Sequence, residues 1–172
     1  MRENARWSRV RWVARVLTVL VATAAWAPVW ADGYDAALKG VKRVDVVFDV
    51  SHGDPKSANV IFWAVRDVYK SEAVTKLAEP AHAVIVFHGP AVKLLSSSRN
   101  EVVKDQAEAM DQFAATLREM KKDGVKLEVC MYAVKVMGVD PATLMPEIDR
   151  VDNGFVSVAG YQLQGYAVVA IP

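Results

Sequence analysis

The sequence predicts an α/β domain in which a mainly parallel, five-stranded sheet lies between helices on both faces, a three-layer α/β/α arrangement. Two observations support this expectation. Short apolar runs rich in valine, isoleucine and phenylalanine alternate with longer stretches in which apolar residues recur at three- and four-residue spacing. Such alternation is typical of right-handed βαβ units, and nearly unbroken apolar strands are typical of parallel sheets that helices cover on both faces.

The N-terminus has the layout of a secretory signal peptide over residues 1–31. A basic segment with five arginines precedes an apolar stretch at 16–27, and small residues end at Ala31, where cleavage is expected. The apolar core is short for a bilayer span, and an uncleaved anchor is the alternative. Residues 32–41 then form a polar lead-in and 42–172 one domain. The chain is therefore predicted to be periplasmic or secreted, with no membrane association after cleavage.

The charge balance argues against two classes of partner. The chain has 21 Lys+Arg and 20 Asp+Glu, and removing the signal takes away five Arg and one Glu. The remaining 16 basic and 19 acidic residues give the mature chain a net charge of −3. That balance provides no electrostatic footprint for nucleic acid and no attraction to an anionic membrane surface.

The first half of the domain is predicted as strand, helix, strand, loop and helix. Valine-rich runs bounded by glycine and proline mark the strands, and apolar residues three and four positions apart mark the helices. In chain order we expect a strand over 42–50, a helix capped by Asp54 or Ser57 and running to about Leu77, a strand over 81–87, a loop through Leu94 to Ser98, and a helix from the cap Asn100 to about Lys122. The inner stripe of the last helix is predicted to be Val103, Met110, Phe113, Leu117 and Met120.

The second half begins at Gly124, since glycine usually follows the last turn of a helix. The stretch from Phe155 to Gln164 has alternating as well as helical character, and a helix is preferred for it. In chain order we expect a strand over 125–130, a short helix over 132–137, a loop with one helical turn over 139–146, a weak strand over 147–151, a helix over 155–164 capped by Asp152 or Asn153, and a strand over 166–171.

Three predicted strand ends carry reactive residue types. His52 follows the first strand, His88 follows the second, and Cys130, the single cysteine, ends the third. The carboxyl ends of parallel strands meet at one edge of a sheet, where ligands bind. The three side chains are therefore expected to line one cleft, in which an imidazole near a thiol raises the thiolate fraction. Gly89 and Pro90 fix a tight turn beside His88.

Structural interpretations of these residues stay open at this stage. Free cysteine is among the most buried residue types, so Cys130 is equally well explained as a small hydrophobic residue, and His52 as part of a turn. One cysteine cannot form an intramolecular disulfide, so an exported thiol is buried, paired between chains, or used. No metal or cofactor is predicted, because zinc-ligand spacing, a glycine-rich phosphate loop and a G-x-S-x-G turn are all missing from the sequence.

Taken together, the motifs resemble the DsrE-like (DsrE/DsrF) sulfur-relay superfamily, and in particular its small, stand-alone members. The resemblance covers residues 42–172. The segments that carry it are His52-Gly53-Asp54-Pro55, Val86-Phe87-His88-Gly89-Pro90 with Leu94-Leu95, Gly124-Val125 leading to Val129-Cys130, and Gln162-Leu163-Gln164-Gly165-Tyr166-Ala167. It implies a three-layer domain that assembles into trimers or hexamers and exchanges sulfur with a donor or acceptor protein.

The resemblance also implies roles for individual residues. Cys130 would hold the outer sulfur of a donor as a persulfide, His88 would orient or deprotonate the thiol, and the Gly89 amide would stabilise developing charge. The surroundings of the thiol would include His52, Pro90, Met131 and Tyr132. Met131 and Tyr132 stand where small or amide residues are expected, so the pocket is predicted to be more apolar. The alternative function is a non-enzymatic, oligomeric module that binds a small ligand or partner and buries its cysteine.

Overall fold

The computed structural model describes residues 33–99 and 102–172, and the predicted signal peptide lies outside them. Five strands pair in parallel in the order β4-β3-β2-β1-β5, with helices on both faces, which confirms the predicted fold class. The elements are β1 Asp45–Val50, α1 Pro55–Lys70, α2 Glu72–Thr75, β2 His82–Phe87, a 3-10 helix at Gly89–Leu95, α3 Lys104–Lys122, β3 Lys126–Cys130, α4 Met131–Val136, a 3-10 turn at Pro141–Thr143, β4 Asp149–Val151, α5 Gly154–Leu163 and β5 Ala167–Ile171.

Helices cover the two faces of the sheet unequally. Side chains alternate between the faces along each strand. One set, including Phe48, Phe87 and Leu127, joins the large core beneath α1 and α3. The other set forms a small cluster of Val47, Val84 and Val86 with Val158 of α5. α5 is the described helix that packs on this second face, where it contacts β1, β2, β3 and β5.

The start of α1 is fixed by a side-chain cap. Asp54 is the N-cap residue, and its Oδ1 accepts a hydrogen bond from the backbone N–H of Ser57 at 2.8 Å. Of the two predicted caps, Asp54 is therefore the correct one. The preceding Gly53 lies against the turn that follows β2, because a Cβ atom built at Gly53 would lie 2.6 Å from Cβ of Pro90. A side chain at position 53 would push the first two strand-end turns apart.

Three predictions for the first half are wrong. The helix expected to reach Leu77 ends at Lys70, because Ser71 adopts an extended backbone, and the separate helix α2 then buries Val74. The expected loop after β2 is instead the 3-10 helix Gly89–Leu95, which buries four apolar side chains. The first strand also begins at Asp45, three residues later than position 42.

The predicted start of the long helix is also wrong. α3 begins at Lys104, and Val103 takes the N-cap position without a side-chain hydrogen bond, whereas Asn100 lies outside the described residues. Val103 is exposed rather than part of the inner stripe. The other four predicted stripe residues are buried: Met110, Phe113, Leu117 and Met120.

The C-terminal elements follow the prediction with shorter strands. β4 covers three residues, and the ambiguous segment before the last strand is the helix α5, capped by Asn153. β5 is an edge strand whose first four residues are exposed. Within residues 33–99 and 102–172, no helix is both long and apolar enough to cross a membrane.

Candidate functional site

The strand register brings His88 and Cys130 to the same edge of the sheet. Phe87 of β2 is paired with Val129 of β3, so His88 and Cys130 occupy the next level of the two neighbouring strands. Both residues line a cavity of about 240 Å³, together with Gly89 and Tyr132. The structure therefore places four of the seven predicted site residues around one small cavity.

Cys130 lies at the inner wall of this cavity. The residue is only 4% exposed, and it is the N-cap of α4. Its Sγ accepts a hydrogen bond from the backbone N–H of Ala133 at 3.4 Å. This hydrogen bond fixes the orientation of the Cys130 side chain at the cavity wall.

The first turn of α5 packs directly against the thiol. A Cβ atom at Gly154 would lie 3.0 Å from Cβ of Cys130 and 3.6 Å from its Sγ. Only glycine allows this close approach. Asn153 caps the helix by accepting a hydrogen bond from the N–H of Phe155 at 3.0 Å. The N-terminal end of this ten-residue helix carries partial positive charge, and it lies beside the Cys130 side chain.

His88 is held from behind by an aspartate that the sequence analysis did not single out. Nε2 of His88 lies 2.6 Å from Oδ1 of Asp49, and the imidazole ring is 5.0 Å from the ring of Phe155. Oδ1 of Asp49 is buried and makes no well-aligned hydrogen bond, so the contact is a close electrostatic one. The signal available in the sequence was an aspartate inside the valine-rich run of β1.

The remaining lining residues make the cavity apolar. They are Ala133, Val136, Met137, Asn153 and Phe155. None of the lining residues is a lysine, arginine, aspartate or glutamate. Ala133, Val136 and Met137 lie three and four residues apart, so the helical spacing after Cys130 was the sequence signal that would have found them.

The other three predicted site residues lie elsewhere. His52 joins the first turn to the C-terminus, with Nδ1 2.9 Å from the carbonyl oxygen of Pro172 and Nε2 2.6 Å from Oγ of Ser57. Pro90 is exposed and packs against Gly53. Met131 packs on the core beneath α1 and α3. None of the three lines the Cys130 cavity.

A second polar group lies beneath α5, away from the cavity. Glu128 is buried and accepts hydrogen bonds from Tyr161 and Lys126 at 2.8 Å each, and from Ser157. Burial raises the pKa of Glu128, but these three donors outweigh burial and hold the pKa below its ordinary value. The bonds to Glu128 also raise the pKa of Lys126. Among the described residues, no three His, Cys, Asp or Glu side chains cluster closely enough to hold a metal ion.

The fold and the site together define a class of protein. Its members would be parallel α/β domains in which a cysteine at the end of the third strand shares a cavity with a histidine at the end of the second. The chain belongs to the DsrE/DsrF-like family, whose model matches residues 44–171.

One solved structure supports the same fold, and a second is reported as similar. The protein of unknown function MTH1491 from Methanobacterium thermoautotrophicum is similar at 19% identity and a TM-score of 0.51, over 74% of this chain and 97% of that one. The YchN protein of E. coli has 14% identity and a TM-score of 0.45, over 76% of this chain and 99% of its own. A search of curated proteins finds no significant match to the chain.

Proposed function

We propose that this protein binds or transfers sulfane sulfur as a persulfide on Cys130. The observation that supports the proposal is the placement of the thiol. Cys130 faces a cavity shared with His88, receives the N–H of Ala133, and contacts the first turn of α5. Persulfide carriage requires one thiol, whereas a disulfide oxidoreductase normally needs a second, resolving cysteine, and this chain has one cysteine.

The reaction assigns a separate task to each group. The Cys130 thiolate attacks the outer sulfur of a donor, and the electron pair of the broken S–S bond leaves with the remainder of the donor. His88 accepts the thiol proton, while Asp49, whose Oδ1 lies 2.6 Å from Nε2, orients the ring. The Gly89 amide, at the turn beside the cavity, is the proposed donor to developing charge.

Intact mass spectrometry tests the sulfur step. The protein is incubated with inorganic polysulfide, thiosulfate and a small organic hydropersulfide. The expected result is a one-sulfur adduct that a thiol reductant removes and that Cys130→Ser abolishes without unfolding the domain. If none of the donors gives an adduct, the proposal is wrong.

A matched pair of histidine variants tests the role of His88. His88→Ala should slow alkylation of native Cys130 at neutral pH, because the variant lacks the proposed acceptor of the thiol proton. His52→Ala is the control, since His52 also follows a strand but lies outside the cavity. Equal rates in both variants would contradict the assignment.

The burial of Cys130 supports a second candidate, a non-enzymatic binding module. Its sulfur is almost fully enclosed, as in a structural cysteine. Labelling with a thiol reagent separates the two candidates. A thiol that reacts slowly in the native protein and rapidly after unfolding favours the module, and a thiol that reacts rapidly in the native protein favours sulfur carriage.

We also propose that the domain forms a homo-oligomer, most simply a trimer or hexamer, through α5 and β5. Residues 154–172 include no charged residue, and five large apolar side chains on these elements are exposed: Phe155, Val156, Leu163, Val168 and Val169. An uncharged apolar surface is complementary to a second copy of itself without like-charge repulsion.

Light scattering tests this proposal. The mature domain should scatter as a multiple of its monomer mass at micromolar concentrations. Leu163→Glu should dissociate it, because the charge would be buried between copies. Val60→Glu, at an exposed position of helix α1 outside the proposed interface, is the control. A monomer in the unmodified protein would contradict the proposal.

The periplasmic location is likewise proposed, on the order of basic, apolar and small residues in the first 31 positions. The mature protein should begin Asp32-Gly33-Tyr34. N-terminal sequencing of protein recovered from the periplasm checks this directly. Recovery of peptides that begin at Met1 would contradict cleavage.

A further inference from the structure

The cavity that reaches Cys130 is a neutral compartment on a charged protein. Asp, Glu, Lys and Arg make up 24% of the chain, yet none of them lines this cavity. Proteins bind sulfur oxyanions and other anions through lysine, arginine or clusters of free backbone N–H groups. The cavity walls include no such cation.

Three backbone amides of the segments around the thiol are already engaged. The N–H of Tyr132 donates to the carbonyl oxygen of Asp152 at 3.1 Å, and the N–H of Ala133 donates to Sγ of Cys130. The N–H of Phe155 donates to Asn153. These three amides are therefore not available to an anion, and the Gly89 amide proposed above is one donor rather than a cluster.

The imidazole of His88 has a carboxylate beside it. Oδ1 of Asp49 lies 2.6 Å from Nε2 of the imidazole, and Asp49 is not one of the residues that line the cavity. An anion that entered the cavity would approach an imidazole that already has the Asp49 carboxylate beside it, and the anion would lose its hydration among apolar walls. Desolvation of this kind disfavours the charged form of any ligand.

From these observations we propose that the Cys130 cavity accepts a small, neutral, apolar sulfane-sulfur donor, of the class of organic hydropersulfides R–S–SH, and discriminates against anionic donors such as thiosulfate. The sulfur step in this inference rests on the proposed function. The volume of about 240 Å³ suits a compact R group. Tyr132 and Phe155, both more than 60% exposed, form an aromatic rim that such a group would contact.

The step balances without an outside oxidant. The Cys130 thiol gives its proton to His88, and the thiolate attacks the outer sulfur of neutral R–S–SH. The new bond joins Sγ to that sulfur, the S–S bond of the donor breaks, and its electron pair leaves on R–S⁻. His88 returns the proton to R–S⁻, so the products are Cys130–S–SH and R–SH. The neutral form is the electrophile in this step, and an apolar cavity favours that form.

A pair of alkylating reagents of equal size tests the charge preference without any sulfur chemistry. Neutral iodoacetamide and anionic iodoacetate are compared on native protein, and the ratio of their rates is divided by the ratio for the protein unfolded in urea. We expect native Cys130 to prefer iodoacetamide by about tenfold, which corresponds to about 1.4 kcal/mol. A native ratio equal to the unfolded one would overturn the inference, as would the absence of reaction with either reagent.

A charge placed at the rim sharpens the test. Val136 lines the cavity and is exposed on α4, so Val136→Lys adds a cation at its mouth without burying one. This variant should raise the rate with iodoacetate by about tenfold relative to iodoacetamide. Val60→Lys places the same charge on α1, outside the cavity, and should leave the ratio unchanged. An unchanged ratio in Val136→Lys would contradict the proposed cause of the selectivity.

Sulfur donors complete the experiment and separate the two proposals. A small alkyl hydropersulfide should form the one-sulfur adduct on Cys130 at least about tenfold faster than thiosulfate does. Equal rates would overturn the charge preference and leave sulfur carriage intact. If neither donor nor polysulfide gives an adduct, sulfur carriage is overturned, and the alkylation ratio still decides whether the cavity selects neutral ligands.

Discussion

The two faces of the sheet are built from the same five strands but differ in what they bury. The face beneath α1 and α3 holds a continuous apolar core, including the fully buried Phe113. The face beneath α5 buries only four apolar residues and includes Asp49 and the buried Glu128. Because alternate residues of a strand point to opposite sides, one set of strands can support both environments.

The difference shows that stability and chemistry are separated across the sheet. Large apolar burial on one side provides most of the driving force for folding. The other side has a smaller apolar cluster, which leaves room for polar side chains and for a cavity at the start of α5. Substitutions on the first face should therefore affect folding most, and those on the second should also affect the reactivity of Cys130.

The largest expected effect is in the core beneath α1 and α3. The ring of Phe113 lies 4.7 Å from that of Phe62 and 6.3 Å from that of Phe87, measured between centroids. Phe113→Ala should lower the free energy of unfolding by about 3–5 kcal/mol, through lost burial and a cavity. Val158→Ala beneath α5 should cost about 1–2 kcal/mol. Urea denaturation measures both, and equal losses would contradict the contrast between the faces.

Glu128→Ala is expected to have the next largest effect. The substitution removes the acceptor for Ser157, Tyr161 and Lys126 together, and it leaves a gap beneath α5. Lys126 is half exposed and can turn toward water, which limits the loss. The expected cost is about 2 kcal/mol in the free energy of unfolding. Glu128→Gln keeps the shape and one acceptor oxygen, so it should cost less. A variant as stable as the unmodified protein would show that α5 does not depend on this carboxylate.

The core face was the more predictable of the two from sequence. Apolar periodicity alone gave the fold class and four of the five stripe residues of α3, because burial of a wide apolar face follows from spacing. Boundaries were less predictable where tertiary packing decided them. Helix α2, which follows the break at Ser71, and the 3-10 helix after β2 both bury apolar side chains. Local sequence patterns do not show which parts of the fold these side chains pack against.

The cavity was predictable only in part. The positions of Cys130 and His88 at strand ends predicted them as site residues, because the carboxyl ends of parallel strands lie at one edge of the sheet. His52 was predicted there too, but the position of the C-terminal Pro172 determines its contacts, and no local pattern gives that position. Asp49 and Phe155 belong to the site through the packing of β1 and α5 around His88, which is long-range information.

Gly154→Ala addresses the contact between α5 and the thiol. The added Cβ would lie 3.0 Å from Cβ of Cys130 and 3.2 Å from Cγ1 of Val86, so the first turn of α5 must shift. We expect a loss of about 1–2 kcal/mol in stability and slower alkylation of Cys130. Gly160→Ala is the matched control in the same helix, because nothing lies within 4 Å of its Cβ. That variant should be as stable as the original or gain up to about 1 kcal/mol, with unchanged thiol reactivity.

The smallest expected effect is a pH dependence that comes from Glu128. Burial raises its pKa, and the bonds from Lys126, Ser157 and Tyr161 outweigh burial and keep the pKa below the ordinary value of 4.5. The unfolded chain therefore takes up this proton at a higher pH than the folded one does. The stabilisation is complete above the unfolded pKa and is lost as the pH falls through the lower folded pKa.

The variant Glu128→Gln cannot take up that proton, so its stability should fall less steeply with acid below about pH 4.5. Urea denaturation at a series of pH values from neutral downward measures the two slopes. Glu108→Gln on the exposed side of α3 removes a carboxylate without buried partners and controls for the change in net charge. If the free energy of unfolding falls equally steeply with acid in the unmodified protein and in Glu128→Gln, the carboxylate is not held ionised beneath α5. In that case the second face would owe its stability to Val158 and its apolar neighbours alone, and the contrast between the two faces would be one of size rather than of chemistry.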